Sequence, residues 1–176
     1  HTRFILVTGV QTCALPISVM RAKSGDSLLK ESAKKTLIKD LIPLATIITP
    51  NIPEAVEVCG FEIKSIEDME RACVVLRDMG VEYPVVKGGH LQGEKSIDVV
   101  YDGKSFHYLE GRFVPTKNTH GTGCTFSSAI TAYLAKGEDP INALKKAKEY
   151  IQGAIENSLP LGKGHGPLNH MWRFQV

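Results

Sequence analysis

Apolar side chains recur every three to four residues along five stretches of the chain, and this spacing predicts amphipathic α-helices. Capping and helix-breaking residues mark their ends, as Ser65 and Gly80 do for the third stretch. The helices are predicted between Asp26 and Pro43, between Pro53 and Gly60, between Ser65 and Gly80, from about Cys124 to Ala135, and from Asp139 to about Asn157. Between these helices the pattern changes to one that is typical of strands.

Short runs of β-branched and aromatic residues separate the predicted helices. Residues 45–49 and 83–86 are continuous apolar runs, as expected of strands buried on both faces. Residues 96–101 and 104–109 are joined by Asp102-Gly103, a dipeptide typical of a β-hairpin turn. Strands that alternate with helices predict an α/β fold, with a mainly parallel sheet that helices cover on both sides.

Composition excludes several classes of function. The chain of 176 residues is 43% apolar and 23% charged, which is ordinary for one soluble domain. Its net charge of +2, without a run of lysine and arginine, argues against nucleic acid or an anionic membrane surface as a partner. The apolar stretches are too short to cross a bilayer. The four cysteines form no CxxC pair, so we expect reduced thiols in a cytosolic protein.

The strongest candidate for chemistry is the segment over residues 118–126, NTHGTGCTF. Gly121 and Gly123 allow a tight turn around Thr122, and the helix that follows points its amide groups toward that turn. Unpaired N–H groups and the helix dipole together favour a phosphate or a developing negative charge. The motif by itself fits equally well an ordinary glycine turn with a buried Cys124, because short glycine motifs recur by chance.

Two charged residues follow predicted strands. Lys87 comes directly after residues 83–86, at the edge of the sheet where open α/β folds bind ligands, and its ammonium group could neutralise phosphate oxygens. Glu54 stands in the first turn of a helix that Asn51 is placed to cap, where a carboxylate could hold Mg²⁺ through water. For both residues an alternative without a functional role stays open. Lys87 could be a solvated lysine at a strand end, and Glu54 could be a first-turn carboxylate that compensates the helix dipole.

The first 18 residues do not fit the pattern of the rest. They are not read as a signal peptide, because Gln11 and Thr12 interrupt the apolar run and no initiator Met precedes it. Residues 7–17, VTGVQTCALPI, resemble the conceptual translation of a DNA-sequencing adapter. We therefore interpret residues 1–18 as a sequencing artefact and begin the domain at residue 19.

Six segments beyond residue 18 resemble, in family order, the hydroxymethylpyrimidine and phosphomethylpyrimidine kinases of the ribokinase-like superfamily. They are VMRAKSGDSLL, LATIITPNIPEA, VVKGGHL, DVVYDG, TKNTHGTGCTFSSAI and LGKGHGPLNH. The resemblance implies a ribokinase-like three-layer α/β/α fold. It also implies an ATP- and Mg²⁺-dependent kinase that phosphorylates 4-amino-5-hydroxymethyl-2-methylpyrimidine, then its monophosphate, for thiamine biosynthesis. The enzyme is expected to be a cytoplasmic homodimer whose partners are small molecules.

The same resemblance implies roles for individual residues. Those that match the family's anion hole, which stabilises charge on the transferring phosphoryl group, are Gly121, Thr122, Gly123 and Cys124. Cys124 stands where most of the superfamily carries a catalytic Asp, so it is the expected base for the substrate hydroxyl. Lys87 matches the lysine that contacts the ATP phosphates, with Thr119 and the two glycines of the turn beside it. Glu54 matches the carboxylate linked to Mg²⁺.

The sequence also departs from the family. The family carries Asp-Pro where this chain has Ile17 and Ser18, and the segments that the family places earlier are not present. We therefore expect residues 19–176 to be the C-terminal part of a single kinase domain, poorly folded or inactive by itself because apolar edges are exposed. Two alternatives stay open: a pyridoxal or pyridoxine kinase of the same superfamily, and a catalytically dead nucleotide-binding module.

Overall fold

The structure, a computed structural model, describes residues 30–89 and 95–174. The segment interpreted as an artefact, residues 1–18, and the predicted start of the first helix lie outside the described residues. The helices are α1 (Glu31–Thr36), α2 (Ile52–Cys59), α3 (Ile66–Asp78), α4 (Thr122–Ala135) and α5 (Pro140–Glu156). The strands are β1 (Ile47–Ile48), β2 (Tyr83–Lys87), β3 (Lys95–Tyr101) and β4 (Phe106–Arg112).

The four described strands form one sheet in the order β1-β2-β3-β4. β1 and β2 are parallel, whereas β2–β3 and β3–β4 are antiparallel. The α/β class is confirmed, but this part of the sheet is mixed rather than mainly parallel. The reason lies in the predicted hairpin: β3 and β4 are joined by a short turn at residues 102–105, and such a connection can link only antiparallel strands.

The turn of the hairpin is longer than the sequence pattern predicts, because it spans residues 102–105 rather than Asp102-Gly103 alone. The second strand begins at Phe106 and not at Lys104, because Asp102 Oδ1 accepts the backbone N–H groups of Lys104 and Ser105, each at 2.7 Å. His107 Nε2 lies 2.8 Å from Asp102 Oδ2. These hydrogen bonds, that to His107 first, hold the pKa of Asp102 well below its usual range. Asp102 therefore fixes the turn from its side chain.

The strands send successive side chains to two separate cores, which confirms a three-layer α/β/α arrangement. Ile48, Val86 and Val99 pack on the side of α2 and α3. On the other side, with α4 and α5, the buried strand residues are Ile47, Val85, Val100 and Leu109. All seven are at most 4% exposed. Because neighbouring strand residues alternate between the two faces, a sheet buried on both faces needs the continuous apolar runs that the sequence shows.

The helix starts follow the capping signals. Asn51 and Glu54 form a reciprocal capping box at α2, and Ser65 and Asp68 form another at α3. The first predicted helix is less regular: after α1 it continues through a π-helical turn and a 3₁₀ turn that includes Pro43. None of the described helices is long and apolar enough to cross a membrane.

We predict that Gly153→Ala destabilises the protein although alanine favours a helix. A Cβ at Gly153, in α5, would lie 2.3 Å from the ring of Trp172. Overpacking costs about 1–3 kcal/mol against a helix-propensity gain of about 1 kcal/mol, so we expect a net loss of about 1 kcal/mol. Urea unfolding of the complete gene product, followed by circular dichroism, measures the difference. The exposed Lys145→Ala in the same helix is the control, and a Gly153→Ala protein more stable than wild type would contradict the packing argument.

Candidate active site

The glycine turn (residues 117–123) leads directly into α4. Gly121 has a φ of +83°, in the left-handed region that favours glycine, and it is the N-cap residue of α4. No described side chain caps this helix start, so its first amide groups face the turn without a side-chain acceptor. Within the turn, Thr122 Oγ1 donates to the carbonyl oxygen of Thr119 at 2.7 Å. The predicted glycine turn in front of a helix start is therefore present at this point.

Lys87 ends β2 and its side chain reaches the glycine turn. Its Nζ lies 3.5 Å from the position that a Cβ on Gly123 would take, which is van der Waals contact distance, so the ammonium group lies against the glycine turn at this residue. Burial lowers the pKa of Lys87, an effect opposed by the negative charge of Glu54 first, then of Asp98. Lys87 is partly buried and is not the solvated strand-end lysine of the alternative interpretation.

Glu54 is 8% exposed, and its carboxylate lies close enough to Lys87 for its charge to act on the ammonium group. Its Oε2 accepts the backbone N–H of Asn51 at 2.9 Å, and Asn51 Oδ1 accepts the N–H of Glu54 at 2.9 Å. The capping role left open by the sequence is therefore real. Across residues 30–89 and 95–174, no group of three or more His, Cys, Asp or Glu could enclose a metal ion. A single carboxylate is nevertheless compatible with Mg²⁺, which is commonly held by one or two carboxylates together with substrate phosphates and water.

Cys124 differs from the other described cysteines in its exposure. It lies in the first turn of α4 with its side chain exposed, whereas Cys73 is buried and Cys59 is half-buried. Burial raises the pKa of Cys59 to about 11 and that of Cys73 to about 12, which makes both thiols unreactive. The thiol placed to meet a ligand at the glycine turn is therefore Cys124, and the alternative of a buried cysteine there is wrong.

Sequence reasoning missed Asp98, which holds the backbone next to Lys87. Asp98 is 5% exposed; its Oδ1 accepts the N–H of Gly88 at 3.2 Å, and Lys148 Nζ from α5 lies 2.7 Å from its Oδ2. Lys148 Nζ also donates to Ser96 Oγ at 3.2 Å. A usable signal was in the sequence, since an acidic residue inside an otherwise apolar buried strand must have partners.

A second missed contact ties β1 to the start of α4. Thr49, just past β1, has its Oγ1 3.3 Å from Ser127 Oγ, and Ser127 Oγ donates to the carbonyl oxygen of Gly123 at 3.2 Å. The ends of β1 and β2 and the first turn of α4 thus meet at one edge of the sheet. Of the predicted site residues, this edge brings together Lys87, Glu54, Gly123 and Cys124.

This fold and this edge define a ribokinase-like α/β protein. The family model described as phosphomethylpyrimidine kinase matches residues 16–169. The chain belongs to the phosphomethylpyrimidine kinase family. It is 46% identical over 153 residues to the thiamine biosynthesis bifunctional protein ThiED of Geobacter sulfurreducens, and 43% identical over 153 residues to the hydroxymethylpyrimidine/phosphomethylpyrimidine kinase of Bacillus subtilis.

The similarity covers most of this chain but only part of those proteins. The matches cover 87% and 86% of the chain, and 31% and 56% of the two relatives. Among solved structures, an ADP complex of Bacillus subtilis pyridoxal kinase superposes with a TM-score of 0.79 at 41% identity. That superposition covers 84% of this chain and 58% of the pyridoxal kinase.

We predict that the affinity of this edge for a phosphate group falls as pH rises, and that the fall begins at a lower pH than it would beside a fully solvated lysine. Phosphate binding favours the charged form of Lys87, and burial lowers the pKa at which that charge is lost. Affinity is therefore full below the lowered pKa and falls by up to about tenfold for each pH unit above it. Calorimetric titration of ADP from about pH 7 to about pH 10 measures this, with proton uptake on binding in the alkaline range.

Lys87→Arg is the matched variant for this titration, because arginine keeps its charge over the whole range. We expect its ADP affinity to change little with pH. An equal alkaline loss in the wild type and in Lys87→Arg would exclude Lys87 as the titrating group.

Proposed function

We propose that the complete gene product transfers the terminal phosphoryl group of ATP to the hydroxymethyl group of 4-amino-5-hydroxymethyl-2-methylpyrimidine, and then to the resulting monophosphate, in thiamine biosynthesis. The observation that carries this proposal is the meeting of Lys87, Gly123 and Cys124 at one sheet edge in a chain of this family. The cytoplasmic location and the homodimer implied by the resemblance stay predictions.

The residues at this edge supply the three things that phosphoryl transfer needs: positioning, charge neutralisation and one base. The N–H of Thr122 donates to the carbonyl oxygen of Thr119, and the amide groups that follow it in the first turn of α4 face the place where negative charge develops. Lys87, whose side chain reaches Gly123, neutralises phosphate oxygens. Cys124, exposed beside the turn, takes the proton of the substrate hydroxyl. The relative solved with ADP supports a nucleotide at this edge.

Glu54 is the proposed contact to Mg²⁺, either directly or through water. A magnesium ion there would neutralise charge on the β- and γ-phosphate oxygens. The burial of Glu54 supports this role, because a carboxylate in a partly desolvated site attracts a cation more strongly than one in bulk water.

A pyridoxal or pyridoxine kinase is the second candidate, because the superposed structure is named a pyridoxal kinase. Both substrates present a hydroxymethyl group on an aromatic nitrogen heterocycle, so the described phosphate edge suits either. Turnover of the complete gene product on the hydroxymethylpyrimidine and on pyridoxal, at equal ATP, separates the two candidates. A higher kcat/KM for pyridoxal would reject the main proposal, and phosphorylation of neither would favour the dead nucleotide-binding module.

We predict that Cys124→Ala abolishes turnover and leaves nucleotide binding nearly intact. Removal of a general base costs about 10²–10⁴-fold in kcat, whereas the amide groups of the turn stay in place. Steady-state kinetics and ADP titration measure the two effects. Ser128→Ala, an exposed site in the same helix, is the control. A Cys124→Ala enzyme with wild-type kcat would contradict the assignment of Cys124 as the general base.

We predict that Glu54→Gln raises the Mg²⁺ concentration needed for half-maximal turnover by about tenfold or more, the effect expected for loss of one charged metal contact. Glutamine preserves the capping box at Asn51, so the melting temperature should change little. A magnesium titration of activity, with thermal unfolding of the same samples, separates metal binding from helix capping. An unchanged magnesium requirement would leave Glu54 with the capping role alone.

A further inference from the structure

The loop over residues 162–170 is anchored to α5. The N–H of Asn169 donates to the carbonyl oxygen of Ala154 at 3.1 Å, and Tyr150 OH donates to the carbonyl oxygen of His170 at 2.8 Å. Leu168, between the glycyl part of the loop and these anchors, is 4% exposed in the core shared with α4 and α5. The position of this end of the loop is therefore set by a buried helix.

The middle of the same loop contacts the glycine turn. The N–H of His120 donates to the carbonyl oxygen of Gly166 at 3.2 Å, within a short parallel bridge between His120 and Pro167. The ring Nδ1 of His165 lies 3.1 Å from the carbonyl oxygen of Lys117. Two backbone groups of the glycine turn are thus partnered by the loop.

The end of the loop reaches the first turn of α4. His170 Nε2 lies 2.9 Å from Thr125 Oγ1, one residue beyond Cys124. The backbone carbonyl of the same His170 is bonded to α5. One residue therefore joins α5 to the helix turn that carries the proposed base.

Close packing adds to these hydrogen bonds at Gly166. A Cβ there would lie 2.3 Å from Asn118 Oδ1 and 3.2 Å from the carbonyl oxygen of Leu159, so only glycine lets the two segments approach this closely. Asn118 is 6% exposed, and its Oδ1 has no hydrogen-bond partner among the described residues. At Gly164, in contrast, an added Cβ would meet nothing within 4 Å.

We propose that the 162–170 loop positions the anion hole. Gly166 and His170 are the positioning residues, and they hold the glycine turn and the first turn of α4 in place relative to α5. This inference rests on the proposed kinase function of that site. Gly166 does so through backbone contact with the turn, and His170 through its hydrogen bond to Thr125.

The physical need for such a support follows from the turn itself. Gly121 and Gly123 give it little conformational restraint, and its start has no side-chain cap. Donors that stabilise a developing charge must stay within a few tenths of an ångström of their place, and a displacement of about 1 Å can cost about 10²-fold in rate. Outside contacts must supply the restraint that glycines do not.

The first experiment compares Gly166→Ala with Gly164→Ala in the complete gene product. We expect Gly166→Ala to lower kcat by about tenfold or more with little change in the KM for ATP, because the donors move while Lys87 stays in place. Gly164→Ala should match the wild type. The double variant Asn118→Ala/Gly166→Ala removes the Asn118 atoms nearest the added Cβ, although the 3.2 Å approach to the carbonyl oxygen of Leu159 stays, and it should recover part of the lost kcat. Equal kinetics for the two single glycine variants, or no recovery in the double variant, would overturn the role of Gly166.

The second experiment tests His170 without depending on how well Gly166→Ala folds. A glutamine amide can take the place of Nε2 toward Thr125, so His170→Gln should keep kcat within about twofold, whereas His170→Ala should lose about tenfold. Thermal unfolding of both proteins controls for general destabilisation. Equal losses in the two variants would overturn the role of the hydrogen bond.

A third readout needs no activity and so separates this inference from the proposed function. Hydrogen exchange of the peptide over residues 117–125 should be faster in Gly166→Ala and His170→Ala than in Gly164→Ala and wild type. If the wild-type protein phosphorylates neither substrate, the kinase proposal fails while this exchange pattern still decides whether the loop holds the turn. Identical exchange in all four proteins would overturn the loop's positioning role.

Discussion

The pairing of β2 on both of its edges is the constraint on which the site depends. β2 pairs in parallel with β1 and antiparallel with β3, while Val85 and Val86 are fully buried on opposite faces. If a strand held in this way slid by one residue, the side chains that now pack into one core would point into the other. The last residue of β2 is Lys87, so the position of its ammonium group against the glycine turn follows from the packing of the whole sheet.

Electrostatic balance at this edge depends on groups from several elements. Burial disfavours the charge on Lys87, and the carboxylates of Glu54 and Asp98 support it from α2 and β3. Asp98 is itself paired with Lys148 of α5, which also weakens the charge on Lys87. An anion bound beside Lys87 would favour the charged form of its side chain and would therefore oppose the effect of burial.

Local sequence signals predicted the elements that short-range chemistry decides. The helix caps at Asn51 and Ser65 and a turn at Asp102-Gly103 were found where they were predicted. The predictions were less accurate where distant contacts decide: β1 is confined to Ile47–Ile48, whereas the sequence pattern predicts a strand over residues 45–49. The turn hydrogen bonds of Asp102 also moved the start of β4, a detail that residue propensities do not contain.

The candidate site likewise combines groups that the sequence predicted with contacts that it did not predict. The sequence by itself determined which groups exist and what they can do: a glycine turn before a helix, a lysine after a buried strand, a thiol at a helix start, and a family resemblance that the family model bears out. Only the tertiary structure decided which groups meet. Asp98 reaches Gly88, and the 162–170 loop lies against the glycine turn, because sheet pairing and core packing bring together segments about ten to fifty residues apart. Periodicity reports which face of an element is buried, but it carries no information about the partner that covers it.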